Sequence, residues 1–278
     1  MRACDHRPGP HGGLCDRVVM PEGDTVHHAA RRIQAVLLDR VPEAISMPQR
    51  RHASEGWPER LAGRAVRSVD AHGKHLFIRF EDQLTLHSHL RMTGAWGVHR
   101  AGARWKRSPH RAWIVLAAGE WRVVEFDGPV LELVRESRTR FDQRLVALGP
   151  DVIGERFDHA DFLARLRRVD QSRAIGEALL DQRIVAGIGN VWKSESCFAT
   201  RLNPWRALAK LGDEEALAVI DFAAAGMTHS AEVDGFSTRP RAVYRRAGQP
   251  CERCGTQIRS HGQGDDARLT YWCPGCQL

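Results

Sequence analysis

The sequence predicts an α+β protein of several domains, in which a helix-flanked β-sandwich precedes a helical domain and a small C-terminal metal-bound β-hairpin. Three observations predict this order. Apolar and polar residues alternate through much of residues 65–126, as in strands that bury one face. From about residue 148 the apolar spacing becomes helical, and the last 28 residues contain four of the seven cysteines.

The first predicted helix follows a segment without regular structure. Residues 1–19 are rich in Pro and Gly and lack apolar periodicity, so we expect them to be disordered. Asp24 or Thr25 is the expected cap of the helix. Pro21 and Glu22 then lie at a helix N-terminus, where unpaired N–H groups carry partial positive charge. The predicted buried face of the helix consists of Val26, Ala29, Ala30, Ile33 and Leu37.

Two antiparallel hairpins are predicted in the first domain, which we place at residues 21–140. The first hairpin pairs His75–Phe80 with Leu84–Leu90, and the second pairs Ala112–Ala118 with Trp121–Phe126. Two such hairpins with a helix in front of them favour a β-sandwich.

The second domain, residues 148–240, is predicted to consist of helices. Asp158 and Ser172 are the expected N-caps of two helices, and Asp213 opens another. A glycine-rich break at residues 186–190 separates the middle helices and permits a tight reversal of the chain.

Asn190 ends this break and stands where a helix N-cap belongs. Exposed N–H groups at the start of the following helix would form an anion site, for which phosphate is the obvious anion. A helical hairpin whose glycines only permit close packing is an equally good interpretation.

The strongest signal lies in the predicted third unit, residues 244–278. Its four cysteines form two Cys-x2-Cys pairs separated by a segment of hairpin length. These cysteines are Cys251, Cys254, Cys273 and Cys276. The spacing predicts a closed, structural Zn²⁺ site that supplies the folding energy of a segment too short to bury a core. Disulfides are the alternative, but the other cysteines are scattered, unlike those of a secreted disulfide scaffold.

Pro21-Glu22 has a chemical interpretation besides the structural one. An α-amine at Pro21 would titrate near ~7.7–8.0, against ~10.4 for a lysine, so roughly 300-fold more of it is uncharged at neutral pH. An uncharged amine can attack a sugar C1′ and form a Schiff base, with Glu22 as a proton shuttle. The structural alternative is a proline in a first helical turn beside an acidic residue that complements the helix dipole.

The formal net charge of +7 points to a polyanionic partner. No apolar run approaches the ~20 residues of a membrane span. The first nineteen residues also lack the apolar core of a secretory signal. We therefore expect a cytoplasmic protein with no membrane partner.

Together these segments resemble the formamidopyrimidine-DNA glycosylase/endonuclease VIII family. The resemblance covers essentially residues 21–278. Two motifs, PEG at 21–23 and GAWG at 94–97, are more similar to the endonuclease VIII branch, whose usual substrates are oxidised pyrimidines. The motifs that carry it are PEGDT at 21–25, Gly73-Lys74-His75, HSHLRMTG at 87–94, DQRIVAGIGNVWKSE at 181–195 and the cysteine hairpin.

The resemblance implies that the second domain is a helix–two-turn–helix domain. It also implies a bifunctional DNA glycosylase and AP lyase of base excision repair. It would act as a monomer on damaged double-stranded DNA at the bacterial nucleoid and nick the strand by β,δ-elimination. Pro21 would be the Schiff-base nucleophile and Glu22 the general acid and base. Phosphates that flank the lesion would be held by Lys74, Arg268 and Asn190. We count Lys74 and Arg268 among the catalytic residues and Asn190 among the DNA-binding residues.

A damaged base must leave the stack before it can be cut from its sugar. The resemblance identifies Arg91 and Met92 as the wedge that fills the gap. Met92 has a flexible apolar side chain of the kind inserted between base steps, and Arg91 would hydrogen-bond the orphaned base. A core methionine at a strand end is the alternative for Met92. Lys193 is a further expected DNA contact.

The sequence departs from the family at two places. Asp24-Thr25 replaces the usual Pro-Glu, so Asp24 would have to substitute for a carboxylate contact. Residues 1–19 precede Pro21, and a prolyl nitrogen in a peptide bond has no basicity. We therefore expect translation to begin at Met20 or the extension to be removed.

Two other functions fit the same residues. An 8-oxoguanine/formamidopyrimidine-specific glycosylase of the same family would share the chemistry and differ in its base pocket. A non-catalytic, zinc-containing DNA-damage sensor would need the zinc hairpin and Asn190 but no free amine at Pro21.

Overall fold

The computed structural model describes residues 20–49, 55–265 and 267–278. The disorder expected for residues 1–19 lies outside the described residues. Where the chain is described, two antiparallel sheets precede a helical region and a two-stranded hairpin with four cysteines. The predicted α+β fold class is confirmed.

Helix α1 spans Gly23–Leu37 and buries the predicted apolar face. The expected cap at Asp24 or Thr25 was wrong, because the helix begins earlier and Glu22 occupies the N-cap position. Asp24 lies in the first turn and is fully buried, since its carboxylate has partners in the second domain, as described below.

The β-sandwich consists of β1 (Ala44–Ser46), α2 (Trp57–Leu61), β2 (Val66–His72), β3 (His75–Phe80), β4 (Leu84–His89), β5 (Ala95–Arg100), β6 (Ala112–Ala118), β7 (Trp121–Phe126) and β8 (Val130–Arg135). Its strands form two four-stranded antiparallel sheets with the orders β2-β3-β4-β8 and β1-β6-β7-β5. Both predicted hairpins are present, as β3–β4 and β6–β7. The core between the sheets also includes the apolar face of α1.

Helices dominate the chain after the sandwich: α3 (Glu136–Phe141), α4 (Gln143–Val146), α5 (His159–Arg168), α6 (Ile175–Ala178), α7 (Asn190–Ala199) and α8 (Asp213–Val233). Asp158 caps α5 as predicted, since its Oδ1 accepts the Asp161 N–H at 2.9 Å. Ser172 does not cap α6, because its hydroxyl donates to Asp170 in a local turn. A second core surrounds Trp192 of α7.

The C-terminal hairpin pairs β9 (Arg259–Gln263) with β10 (Arg268–Trp272) in antiparallel register. Its tip carries Arg268, and its base carries the four cysteines. Among the helices of the described ranges, none combines the length and apolar character that crossing a membrane requires.

Candidate active site

The carboxylate of Glu22 joins the start of α1 to the start of α7. Its Oε1 accepts the Val191 N–H at 2.9 Å and its Oε2 accepts the Trp192 N–H at 3.3 Å. The residue is 1% exposed. A carboxylate suits this place because a helix N-terminus carries unpaired N–H groups and partial positive charge. These two amides therefore hold Glu22, and the expectation that they bind phosphate was wrong.

Glycines permit this close approach. The N-cap of α7 is Gly189 and not Asn190, so the cap lies one residue earlier than predicted. A Cβ at Gly189 would lie 2.2 Å from Cδ of Glu22, and only glycine leaves room for the carboxylate. Gly187 has a φ of 104°, which favours glycine, and its carbonyl accepts the Gly23 N–H at 2.9 Å. The glycine-rich break thus receives the Pro21–Gly23 segment.

Lys74 reaches the same glycine-rich break. Its Nζ donates to the carbonyl of Ile188 at 2.6 Å, and the preceding Gly73 donates its N–H to Asp151 Oδ2 at 2.7 Å. Burial lowers the pKa of the Lys74 ammonium to about 8, although the nearby negative charge of Glu22 opposes this shift. Lys74 therefore lies close to Glu22 and is half-buried instead of projecting into solvent.

Asp24 does not take part in this site. Its carboxylate accepts hydrogen bonds from Trp192 Nε1 at 2.9 Å and Ser230 Oγ at 2.8 Å, and from Arg239 Nε at 2.7 Å. These hydrogen bonds hold the Asp24 carboxylate inside the protein, where it is fully buried. The suggestion that Asp24 substitutes for the usual family carboxylate was therefore wrong.

Arg239 is a functional candidate that the sequence did not reveal. Besides binding Asp24, its Nη1 donates to the carbonyl of Met20 at 3.0 Å, which places the guanidinium next to the Pro21 nitrogen. Arg239 is 6% exposed and Pro21 is half-buried. No pattern in the residues around Arg239 distinguishes an inward arginine from a solvated one.

The zinc hairpin brings Arg268 to the same end of α7. Asn190 Nδ2 donates to the carbonyl of Leu269 at 2.7 Å, beside Arg268 in β10. Arg268 is exposed. Burial of Lys74 is the main cause of its lowered pKa, and the positive charge of Arg268 lowers that pKa further. The structure thus brings Lys74, Asn190 and Arg268 together near Glu22.

Lys193 is fully buried, so the expected DNA contact was wrong. Its Nζ donates to Thr270 Oγ1 at 2.6 Å, and that hydroxyl donates to Gln263 Oε1 at 2.7 Å. Burial lowers the pKa of Lys193 to about 8, while the neighbouring Cys197 acts in the opposite direction. Lys193 fastens the zinc hairpin to α7, a role that its place in the motif does not reveal.

Arg91 and Met92 lie at the tip of the turn between β4 and β5. Both are exposed, and Met92 is 56% exposed, which excludes the alternative of a core methionine. The turn is closed by a hydrogen bond from the Gly94 N–H to the Leu90 carbonyl at 2.9 Å. Met92 is therefore available to contact a partner surface.

The four predicted metal ligands also come together. The Sγ atoms of Cys251, Cys254, Cys273 and Cys276 all lie within 4.8 Å of one another. Zn–S bonds of ~2.3 Å in a tetrahedron place sulfur atoms about 3.8 Å apart, so the cluster fits one Zn²⁺ with four protein ligands. A site closed in this way is structural, because no position remains for a substrate or water.

Three family models match consecutive parts of the chain. The formamidopyrimidine-DNA glycosylase N-terminal domain matches residues 20–134, and the formamidopyrimidine-DNA glycosylase H2TH domain matches residues 148–241. The zinc finger found in FPG and IleRS matches residues 248–278. With the cysteine geometry, the last match confirms the predicted structural zinc.

Named relatives match nearly the whole chain. "Probable endonuclease 8 2" of Streptomyces coelicolor is 42% identical over 93% of this chain and 94% of its own length. "DNA-(apurinic or apyrimidinic site) lyase Nei2" of Mycolicibacterium smegmatis is 37% identical over 93% of this chain and 99% of its own length.

A solved crystal structure has the same fold as this chain. Lactococcus lactis Fpg (MutM), in its complex with DNA containing N7-benzyl-Fapy-dG, superposes with a TM-score of 0.78 at 22% identity. The match covers 93% of this chain and 100% of the Lactococcus chain, and it shows the shared fold. From the domain models and the relatives together, the chain belongs to the formamidopyrimidine-DNA glycosylase/endonuclease VIII family.

Proposed function

We propose that this protein is a bifunctional DNA glycosylase and AP lyase of base excision repair, which removes oxidised bases from damaged duplex DNA and nicks the strand. Membership of the family and the names of the relatives, endonuclease 8 and AP lyase, support this activity. The positive net charge suits a DNA partner. Because the relatives are from bacteria, we propose that the protein acts on nucleoid DNA in the cytoplasm. We also propose that it acts as a monomer.

The observation that carries the proposal is the fixed position of Glu22 beside Pro21. A mobile glutamate would leave the distance between nucleophile and proton donor undefined, whereas two amides of α7 hold this one. The two N–H bonds leave carboxylate lone pairs for a proton. A general acid must be held within hydrogen-bond reach of the group it serves.

In the first half of the proposed reaction, the uncharged Pro21 amine attacks C1′ of the damaged nucleotide. The glycosidic bond breaks, and its electron pair and a proton leave with the base. Glu22 then gives a proton to the sugar ring oxygen, the C1′–O4′ bond opens, and an iminium joins the Pro21 nitrogen to C1′. This step requires that Pro21 be the first residue of the mature chain.

In the second half, the iminium acidifies the C2′ proton, whose removal expels the 3′ phosphate by β-elimination. Loss of the C4′ proton then expels the 5′ phosphate by δ-elimination, and water releases the sugar remnant from Pro21. Glu22 would accept and return these protons. Lys74, Asn190 and Arg268, which converge near Glu22, would bind the flanking phosphates.

We further propose oxidised pyrimidines as the substrates. The PEG and GAWG motifs and the endonuclease 8 relatives support this choice over the guanine-lesion branch. Incision of matched duplexes that contain thymine glycol, 5-hydroxycytosine or 8-oxoguanine tests it. Faster single-turnover incision of the two pyrimidine lesions is expected, and faster incision of 8-oxoguanine would assign the guanine branch.

Borohydride trapping tests the chemistry. A zinc-loaded chain that begins at Pro21 should leave a covalent adduct on a duplex with an abasic site, because borohydride reduces the iminium to a stable amine. The matched control retains Met20, whose peptide bond converts the Pro21 nitrogen into an amide, and it should leave none. DNA binding without an adduct from the Pro21 chain would leave only a damage-sensing role.

A further inference from the structure

Asp127, in the turn between β7 and β8, binds two arginines of the loop between β5 and β6. Its Oδ2 lies 3.0 Å from Arg107 Nη1 and 2.7 Å from Arg111 Nε. The Asp127 N–H also donates to the Arg111 carbonyl at 3.1 Å. The β5–β6 loop (residues 101–111), hereafter the basic loop, is therefore docked on the β7–β8 turn.

The same guanidinium also holds the turn that carries Met92. Arg107 Nη1 donates to the carbonyl of Thr93 at 2.6 Å, and Thr93 Oγ1 donates to the carbonyl of Asp127 at 3.1 Å. Thr93 directly follows Met92 in the chain. Arg107 thus connects the basic loop, the β7–β8 turn and the exposed tip at Met92.

The other side of the tip is fastened as well. The Arg91 N–H donates to His89 Nδ1 at 3.2 Å, and Arg91 has a φ of 44°, a conformation that is uncommon for residues other than glycine. A Cβ at Gly94 would lie 2.9 Å from the Leu90 Cα, so the turn is tightly closed. A non-glycine residue stays in this conformation only when its surroundings hold it there.

We propose that Arg107 is a positioning residue that holds the Arg91–Thr93 turn in the shape that inserts Met92 into the DNA stack. The proposal rests on the glycosylase function proposed above. A preformed turn loses less conformational freedom on insertion than a mobile one, so its rigidity favours the extruded state of the base. Arg107 acts through the turn, because its Nη1 donates both to the Thr93 carbonyl and to the Asp127 carboxylate.

The test compares Arg107→Ala with Arg104→Ala. Arg104 has the same charge and lies in the same loop, but in the described part of the chain its side chain bonds neither Thr93 nor Asp127. Arg107→Ala should lower the single-turnover rate of base excision from a thymine glycol duplex about tenfold, by loss of charged hydrogen bonds. Arg104→Ala should stay within about twofold of the unsubstituted protein.

A fluorescent base reports insertion itself. With 2-aminopurine beside the lesion, Arg107→Ala should reduce the fluorescence change on binding. Arg107→Lys should restore part of it, because the ammonium keeps a positively charged donor but lacks the planar fork of the guanidinium. Asp127→Asn, which keeps the carbonyl that Thr93 binds, should reproduce part of the loss. Equal effects of Arg104→Ala and Arg107→Ala would overturn the proposal and assign both residues to charge attraction.

A double-mutant cycle separates positioning from an independent effect. If Arg107 acts only through Met92, Met92→Ala combined with Arg107→Ala should excise no more slowly than Met92→Ala alone. Additive losses would overturn the proposal. Failure of the proposed function itself is distinguishable, because the unsubstituted chain would then leave no borohydride adduct on an abasic duplex.

Discussion

Glu22 and Val191 lie 169 positions apart in the chain, and the carboxylate of Glu22 accepts the backbone N–H of Val191 at 2.9 Å. This bond connects the helix in front of the β-sandwich to the helix after the glycine-rich break. The distance between the proposed nucleophile and its acid–base partner is therefore controlled by the packing of two domains. Substitutions in the second domain should alter chemistry in the first.

Gly189→Ala should disable the site without changing a functional side chain. The new Cβ would lie 2.2 Å from Cδ of Glu22 and would displace the carboxylate. Loss of general acid–base catalysis should slow base excision on the order of 100-fold in single-turnover kinetics.

Gly212→Ala is the matched control, because Gly212 is also a helix N-cap and a Cβ there would lie 3.7 Å from its nearest neighbour. Its excision rate should match that of the unsubstituted chain. An active Gly189→Ala enzyme would contradict the assigned position of Glu22.

Lys74→Met should weaken binding to an abasic-analogue duplex and change its pH dependence. Burial lowers the pKa of Lys74 to about 8, so the positive charge at this position is lost as pH rises from 7 to 9. Fluorescence anisotropy should show affinity falling across this window more steeply in the unsubstituted chain than in Lys74→Met. Loss of one phosphate contact should also reduce the salt slope by about 1. Identical pH profiles would show that Lys74 binds no phosphate.

Removal of zinc should unfold the C-terminal hairpin and weaken DNA binding, because the metal supplies the folding energy of this short unit. Cys273→Ser should contain less than one zinc per chain by elemental analysis, and amides of β9 and β10 should exchange faster with deuterium. Cys197→Ala, which alters a buried cysteine outside the cluster, should retain the metal. Full zinc occupancy in Cys273→Ser would contradict the four-ligand site.

Glu125 should make the protein less stable at higher pH. Burial raises the pKa of its carboxyl to about 8, although the bond from Ser88 Oγ at 2.6 Å acts in the opposite direction. An unfolded glutamate titrates near ~4.3, so the folded protein retains a proton that the unfolded chain releases between pH ~4.3 and 8. The free energy of unfolding therefore falls as pH rises through this window.

Glu125→Gln removes this ionisation and keeps the shape of the side chain. Relative to the unsubstituted chain, it should gain stability between pH 5 and pH 8, on the order of 2–4 kcal/mol. Urea denaturation at the two pH values measures the difference. Parallel pH profiles for the two proteins would contradict a neutral buried Glu125.

Local signals in the sequence predicted most of the fold. The cysteine spacing, the two hairpins, the apolar face of α1 and the Asp158 cap all depend on residues a few positions apart. The helix caps expected at Asp24 or Thr25, Ser172 and Asn190 were misplaced by one to a few residues. The other errors concern side chains with distant partners. Asp24 pairs with Arg239 across 215 positions, and Lys193 donates to Thr270 across 77 positions. Nothing in the surrounding residues reveals such partners.

The start of α7 illustrates the same limit. Helix-dipole reasoning correctly predicted that these N–H groups bind an anion. The anion is the protein's own Glu22, because Gly189 admits a carboxylate from another domain. Local geometry specifies the kind of ligand, and tertiary packing selects which group occupies the site.

The most direct test of the account is the location of the covalent bond. A zinc-loaded chain beginning at Pro21 is reduced with borohydride on an abasic duplex, digested, and sequenced by tandem mass spectrometry. The account predicts the sugar remnant on the Pro21 nitrogen. A remnant on Lys74, or on any other amine, would contradict it.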